Sequence, residues 1–417
     1  MIFAYAYLLT LFMAPQLWIP PFIDLPVDYL IYPIWLLYAL LSGRLGRTKF
    51  CAPDFFFMAF IAWIALSIIV SGTTWNLMPI VVMKYVKWLV LYILIRCTVS
   101  SVADLRRVAA FIVALVYILV VEGIQHKLSP TGINWAGQPL GWIDPAVLAA
   151  GGTGRTKWIG VFDGIGVFAV VYTIALPFVL QYASSNFSAT VRWLNRIGLP
   201  FLFVALYYTG SRGAFLATLA LISLHLAAKY RVTLKTIILA STFVLVAFAL
   251  APSHLTQTRD SSNSAQNRVD VWAQGVSMLA SNPVTGVGRG NFIEHTRTII
   301  AHNSGVEIMA ETGLIGLFLW VSIITSCLRA AYLRHQACQL QAERDIVSGI
   351  ILSVVGYIIS SFFVTLEYET FYLLLALCVG TIDAQSTKHL YRKRELIMCC
   401  AIVFVFVAAI KIVAMLY

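Results

Sequence analysis

The sequence contains little charge: only 11% of its 417 residues are Asp, Glu, Lys or Arg, whereas 60% are hydrophobic. Soluble proteins carry about 25% charged residues, because a folded domain needs a polar surface that water can wet. The composition therefore excludes a cytosolic enzyme, a disordered scaffold and a disulfide-rich secreted module. It indicates a polytopic membrane protein.

Metal-ligand spacing and a cleavable signal peptide are also missing. The seven cysteines show no spacing typical of a metal site, and Cys399 and Cys400 are adjacent within an apolar run. We therefore expect neither a metal nor a cofactor. Met1 continues directly into apolar sequence without a basic segment, so we expect the first apolar run to remain as a membrane anchor.

Long apolar runs are what the sequence has in abundance. A helix needs about 20 mostly apolar residues to cross a bilayer, and only helices or closed barrels satisfy the backbone there. The runs predict an all-α polytopic membrane protein with about 12–13 transmembrane helices, forming a single integral domain over residues 1–417. They lie at roughly 2–20, 29–42, 54–71, 78–96, 108–125, 159–181, 193–208, 213–228, 233–251, 304–328, 346–365, 369–383 and 396–416.

The basic excess follows this topology. The chain has 29 Lys and Arg residues and a net charge of +11. With the N-terminus in the cytoplasm, most of these residues fall in inside loops, as the positive-inside rule expects. No nucleic-acid partner is then needed to explain the charge. Two long segments face outward: 126–158, rich in Gly, Pro and Trp, and 252–303, where Gln266–Ala280 predicts an amphipathic helix.

Several arginines remain on the outside, where the topology disfavours them. Arg212 lies in the turn TGSRGA, Arg289 lies in GVGRG, and Arg268 opens the amphipathic helix. A guanidinium presents a planar fork to phosphate, and small residues allow a ligand to approach the backbone. We interpret these arginines as anion-binding residues. The alternative for any one of them is pairing with lipid head groups or a nearby acid. The GVGRG segment is not a dinucleotide fingerprint, since no strand precedes it.

His302 lies where the second long segment re-enters the membrane. Histidine is the side chain best suited to accept a proton near neutral pH, which makes His302 the candidate base, with His295 as a competitor. Glu307 and Glu311 follow with i, i+4 spacing on one helix face. Carboxylates inside a span usually face a cavity, where they could orient the imidazole or bind sugar hydroxyls. The alternative is a histidine at head-group level with two buried, hydrogen-bonded carboxyls.

Two lysines lie on one face of a predicted span. Lys87 is expected to extend toward the inner head groups, whereas Lys84 is open to that role or to a phosphate contact within the bundle. Glu367 and Glu369 are expected to face outward, where they could bind sugars, although exposed acids usually only interact with solvent.

Three motifs together resemble the O-antigen ligase and O-antigen polymerase superfamily of bacterial envelope glycosyltransferases. They are TGSRGA, NRVDVWAQGVSML leading to SNPVTGVGRGNF, and AHNSGVEIMAETGLIGLFLW, within about residues 205–320. The resemblance implies a GT-C-like enzyme of the bacterial inner membrane with a large periplasmic loop. Such enzymes transfer a glycan from undecaprenyl pyrophosphate to an acceptor sugar hydroxyl on the periplasmic side, without a metal or a nucleotide sugar.

The resemblance also implies roles for individual residues. Arg212 and Arg289 would hold the donor pyrophosphate, and His302 would be the general base or orient the acceptor. The expected substrate-binding residues are Arg268, Asn303, Glu307, Glu311, Ser211 and Lys84.

The expected partners are the undecaprenyl-pyrophosphate-linked donor, a glycan or lipid A-core acceptor, and membrane lipid. The motifs serve polymerases and ligases alike, and we favour polymerisation of O-antigen or exopolysaccharide repeat units. The segment 126–158 matches no familiar pattern and is a candidate acceptor determinant. A lipid-linked oligosaccharide flippase is the alternative of another class. It would predict charges throughout the spans and inverted repeats.

Overall fold

The computed structural model describes residues 1–23, 25–72, 78–141, 154–184, 186–229, 259–296, 300–380 and 393–416. Within these ranges the regular elements are helices, and β pairing is limited to isolated bridges. This confirms the all-α prediction. The helices are α1 (Ile2–Met13), α2 (Val27–Leu41), α3 (Arg44–Arg47), α4 (Ala52–Ser71), α5 (Met78–Thr98), α6 (Val102–Leu128), α7 (Ile165–Tyr182), α8 (Ala189–Thr209), α9 (Arg212–Lys229), α10 (Arg259–Ser281), α11 (Phe292–His295), α12 (Ser304–Ala337), α13 (Gln341–Ser361), α14 (Glu369–Gly380) and α15 (Lys393–Leu416).

The described helices are those of a polytopic membrane protein. By length and composition, 7 of them could cross a membrane, namely α4, α5, α6, α7, α12, α13 and α15. Shorter apolar helices occur at Ile2–Met13, Leu30–Leu41, Arg212–Ala227 and Glu369–Gly380. The total of about 12–13 spans stays a prediction. The predicted span at 233–251 lies outside the described residues, as do parts of both long segments (142–153, 252–258 and 297–299).

Large apolar side chains are exposed along several apolar helices. Leu41 is 80% exposed and Phe404 on α15 is 74% exposed. A water-soluble protein rarely exposes such surface, because it promotes association. The pattern fits helices that face lipid.

The chain forms two compact units, each assembled from segments that are distant in the sequence. Unit 1 comprises Met1–Trp35, Val102–Arg259 and Cys338–Phe363, and unit 2 comprises Leu36–Ser101, Asp260–Ala337 and Val364–Tyr417. In unit 1, α7 is almost entirely buried and packs against α6, α8, α9 and α13. In unit 2, α12 packs against α4, α14 and α15. The single integral domain over residues 1–417 stays a prediction.

The helix α12 is interrupted at Gly313, whose backbone has φ 68° and ψ −168°. The amide of Leu314 therefore donates to the carbonyl of Pro283 at 2.9 Å rather than within the helix. Non-helical backbone at membrane depth requires such protein partners. The carbonyls at the break accept other donors: Ala310 from Val287 N, Glu311 from Gly288 N, and Thr312 from Trp63 Nε1. The glycine-rich segment 286–290 is thereby fastened along α12.

Candidate functional site

Arg289 is buried among carboxylates in unit 2. It is 6% exposed. Its guanidinium donates to Glu311, to Glu367 and, at 3.3 Å, to Glu307, while its Nε donates to the hydroxyl of Tyr85 at 2.8 Å. Burial lowers the pKa of Arg289, but the charges of Glu367 and Glu307 and the hydrogen bond to Tyr85 outweigh burial and hold that pKa well above its ordinary value. The arginine thus joins segments from four parts of the chain.

Arg289 is therefore not exposed in the way that the sequence suggested, and its contact with a diphosphate stays a prediction. Its donors are committed to protein acceptors, and three carboxylates surround one cation, so the surroundings repel an anion. The physical reason is the break at Gly313, which lets the glycine-rich segment fold onto α12. Glu311, 2% exposed, has no free oxygen either, because its Oε1 accepts the amide of Phe292 at 2.8 Å.

The expectation that Glu367 faces solvent is also wrong, since it is 4% exposed and paired with Arg289.

Lys87 lies 3.1 Å from Glu369, so this lysine has an ion-pair partner and does not only extend toward head groups. Lys84 is exposed, with its ammonium 4.7 Å from the centre of the Trp88 ring. A phosphate contact for Lys84 stays a prediction.

The start of α12 is fixed by Asn303 and Ser304. The Oδ1 of Asn303 accepts the amides of Gly305 at 3.0 Å and Val306 at 3.2 Å, which is a helix N-cap. The hydroxyl of Ser304 accepts the amide of Leu366 at 2.8 Å. Asn303 is 1% exposed, so its observed task is to cap the helix directly after His302, and a substrate contact stays a prediction.

His302 itself has an unusual backbone. Its φ is 50°, in the left-handed region that residues other than glycine rarely occupy. Such strain costs on the order of 1–3 kcal/mol and is concentrated at functional sites. Burial, and after it the positive charge of Arg268, lowers the pKa of His302 below its ordinary value of 6.5. The imidazole is therefore neutral at pH 7 and able to accept a proton.

The helix α10 brings Arg268 to His302. The indole Nε1 of Trp272 on this helix donates to the carbonyl of Ala301 at 2.9 Å. Gly275 on the same helix packs closely against Val306. Arg268 lies one turn before Trp272, on the same helix face. The helix contains the predicted segment Gln266–Ala280 and ends at Ser281, directly before the predicted Asn-Pro break. It begins at Arg259, so Arg268 lies within the helix and does not open it as expected.

His295 is a weaker candidate for the base. Its side chain is exposed, and its Nδ1 lies 2.9 Å from the carbonyl of Asn291 one turn earlier. It also lacks the left-handed backbone of His302.

Arg212 and Ser211 lie in unit 1, at the beginning of α9. The hydroxyl of Ser211 accepts the amide of Ala214 at 3.4 Å, which caps the helix. Arg212 is half-buried at the first helical position. The N-terminus of a helix favours anions, so this arginine remains suited to a phosphate.

The comparison with known families falls on this part of the chain. Residues 197–321 match the O-antigen ligase family model. The match includes Arg212, Arg268, Arg289 and His302, and it supports the resemblance to the O-antigen ligase and polymerase superfamily. Tyr85 and Glu367, which hold Arg289, lie outside the matched range. No curated protein matches the chain.

Proposed function

We propose that the protein transfers a glycan from undecaprenyl pyrophosphate to an acceptor sugar hydroxyl at the periplasmic side of the bacterial inner membrane, joining O-antigen or exopolysaccharide repeat units. The observation that carries this proposal is His302: a strained, neutral histidine beside a cation, within the O-antigen ligase match. Its backbone strain makes sense if the imidazole must be aimed at a reacting group.

In the proposed reaction, His302 accepts the proton of the acceptor hydroxyl. The hydroxyl oxygen bonds to the anomeric carbon, and the bond from that carbon to the diphosphate oxygen breaks. Undecaprenyl diphosphate leaves with the electron pair, so the configuration at the anomeric carbon inverts. A guanidinium can stabilise the negative charge of the leaving diphosphate without a metal, and Arg212 is the residue that the sequence suggests for this role.

Arg289 is assigned a positioning role in this proposal. It binds Glu307 and Glu311 on the first turns of α12 and so holds the helix that begins two residues after His302. This replaces the diphosphate contact expected from the sequence.

The first experiment varies the acceptor, because the proposed roles of His302 and Arg212 do not distinguish a polymerase from a ligase. Purified protein receives a defined undecaprenyl-pyrophosphate repeat unit, with a second lipid-linked unit or with lipid A-core. The proposal expects lengthened lipid-linked chains. Product on lipid A-core alone would identify a ligase, and no product with either acceptor would contradict glycan transfer.

A further inference from the structure

The turn TGSRGA in unit 1 is built around an arginine from another segment. Gly210 has φ 62°, and a Cβ at this position would lie 3.1 Å from Cδ and 3.2 Å from Nε of Arg155. A side chain at residue 210 would therefore be strained and would also press on Arg155. The glycine lets Arg155 lie across the turn that ends in Arg212.

The backbone around Arg155 is anchored on two sides. Its carbonyl accepts the amide of Gly141 at 2.7 Å, and the next residue, Thr156, donates its amide to the carbonyl of Tyr208 at 3.1 Å. Thr156 is fully buried. Arg155 is thus held in place by the first long segment and by the end of α8.

Positive charge accumulates at this turn. Arg155 and Arg212 are both half-buried and repel each other. The positive charge of Arg155 also repels that of Lys127 at the end of α6. Burial lowers the pKa of Arg155 below its ordinary value. Among the described residues neither arginine forms an ion pair. Asp163, which is the acid nearest Arg155 in the sequence, lies 3.4 Å from Lys157.

Half-buried like charges cost free energy unless an anion compensates them. Lys127 is positioned by a 2.7 Å bond from its ammonium to the carbonyl of Gly154, which places it beside the residue preceding Arg155. The backbone N–H groups at the N-terminus of α9 also favour an anion. Two guanidinium forks and one ammonium together match the several oxygens of a diphosphate.

We propose that Arg155 is a second diphosphate-binding arginine, which acts with Arg212 and Lys127, so that the first long segment contributes to donor binding. This inference rests on the proposed function and deepens it. It adds a role for a segment that the sequence suggested only as an acceptor determinant.

The test measures binding of farnesyl pyrophosphate, a short polyprenyl diphosphate, to the purified full-length protein by titration calorimetry. We expect Arg155→Ala to raise Kd at least about tenfold. Arg155→Lys, which keeps the charge but loses the fork, should raise it less. The matched control is Arg107→Ala, near the other end of α6, where the arginine is exposed and pairs with Asp104. Its Kd should equal that of the wild type.

Thermal unfolding without ligand separates binding from folding. Arg155→Ala should unfold at or above the wild-type temperature, because the substitution relieves repulsion with Arg212. Equal Kd values for the wild type and both Arg155 variants would overturn the inference and leave the proposed function intact. A wild-type protein that does not bind the diphosphate would instead contradict the proposed donor itself.

Discussion

The indole Nε1 of Trp272 donates to the carbonyl of Ala301 at 2.9 Å. This bond joins the amphipathic helix α10 to the residue directly before His302. It therefore fixes both the strained backbone at residue 302 and the approach of Arg268 to the imidazole.

Trp272→Phe should reduce glycan transfer by about tenfold while the protein remains folded. The ring still packs, but the buried Ala301 carbonyl loses its donor, at a cost of about 1–3 kcal/mol. The measurement is kcat with the lipid-linked donor. Trp193→Phe is the control, because Trp193 is 55% exposed. Equal losses in both variants would show that the indole bond has no special role.

Arg268→Ala should move the acid limb of the pH–rate profile to higher pH. The positive charge of Arg268 lowers the pKa of His302, so its removal raises that pKa. Burial is the larger cause and persists, so the pKa should still lie below 6.5. Arg268→Lys keeps the charge and should leave the limb in place. A limb that does not move in the alanine variant would separate Arg268 from His302.

Arg289→Ala should destabilise the protein by about 3–5 kcal/mol, because it leaves Glu311 and Glu367 buried without their cation. Glu311→Gln added to Arg289→Ala should restore part of the loss, since it removes one uncompensated charge. Thermal unfolding of the purified protein measures both effects. An Arg289→Ala protein with wild-type stability and lost diphosphate binding would favour the clamp role instead.

Gly286→Ala should destabilise the protein more than Gly72→Ala. Both glycines have φ 68°, so alanine pays a similar backbone cost at each. At Gly286, however, a Cβ would lie 2.3 Å from the carbonyl carbon of Glu311, whereas at Gly72 no atom of the described residues lies within 4 Å. The difference between the two unfolding temperatures reports the docking of the glycine-rich segment on α12. Equal shifts would contradict that docking.

The sequence predicted the parts of the site that depend on local pattern. Glu307 and Glu311 share a helix face because of their i, i+4 spacing, and both do contact one partner. The amphipathic helix around Trp272 follows from its apolar periodicity. The role of His302 as the base rests on residue type and place, and it stays a prediction.

What the sequence could not show depends on contacts between distant segments. Glu367 and Tyr85 lie far from Arg289 along the chain, so their pairing with it required the fold. The break at Gly313 gave no signal within an apolar run. Nothing in the local sequence indicates that Arg155 lies across Gly210. These long-range contacts changed Arg289 from an expected ligand contact into a buried ion-pair centre.

The most direct test of the account is glycan transfer by His302→Ala with a defined undecaprenyl-pyrophosphate donor and a sugar acceptor. The matched control is His295→Ala, which removes the exposed histidine of the same outer segment. The account predicts wild-type product formation in the His295 variant and a loss of at least about 100-fold in the His302 variant, the lower range for a general base. Product formation at the wild-type rate by His302→Ala would contradict the account, because transfer would then proceed without the proposed base.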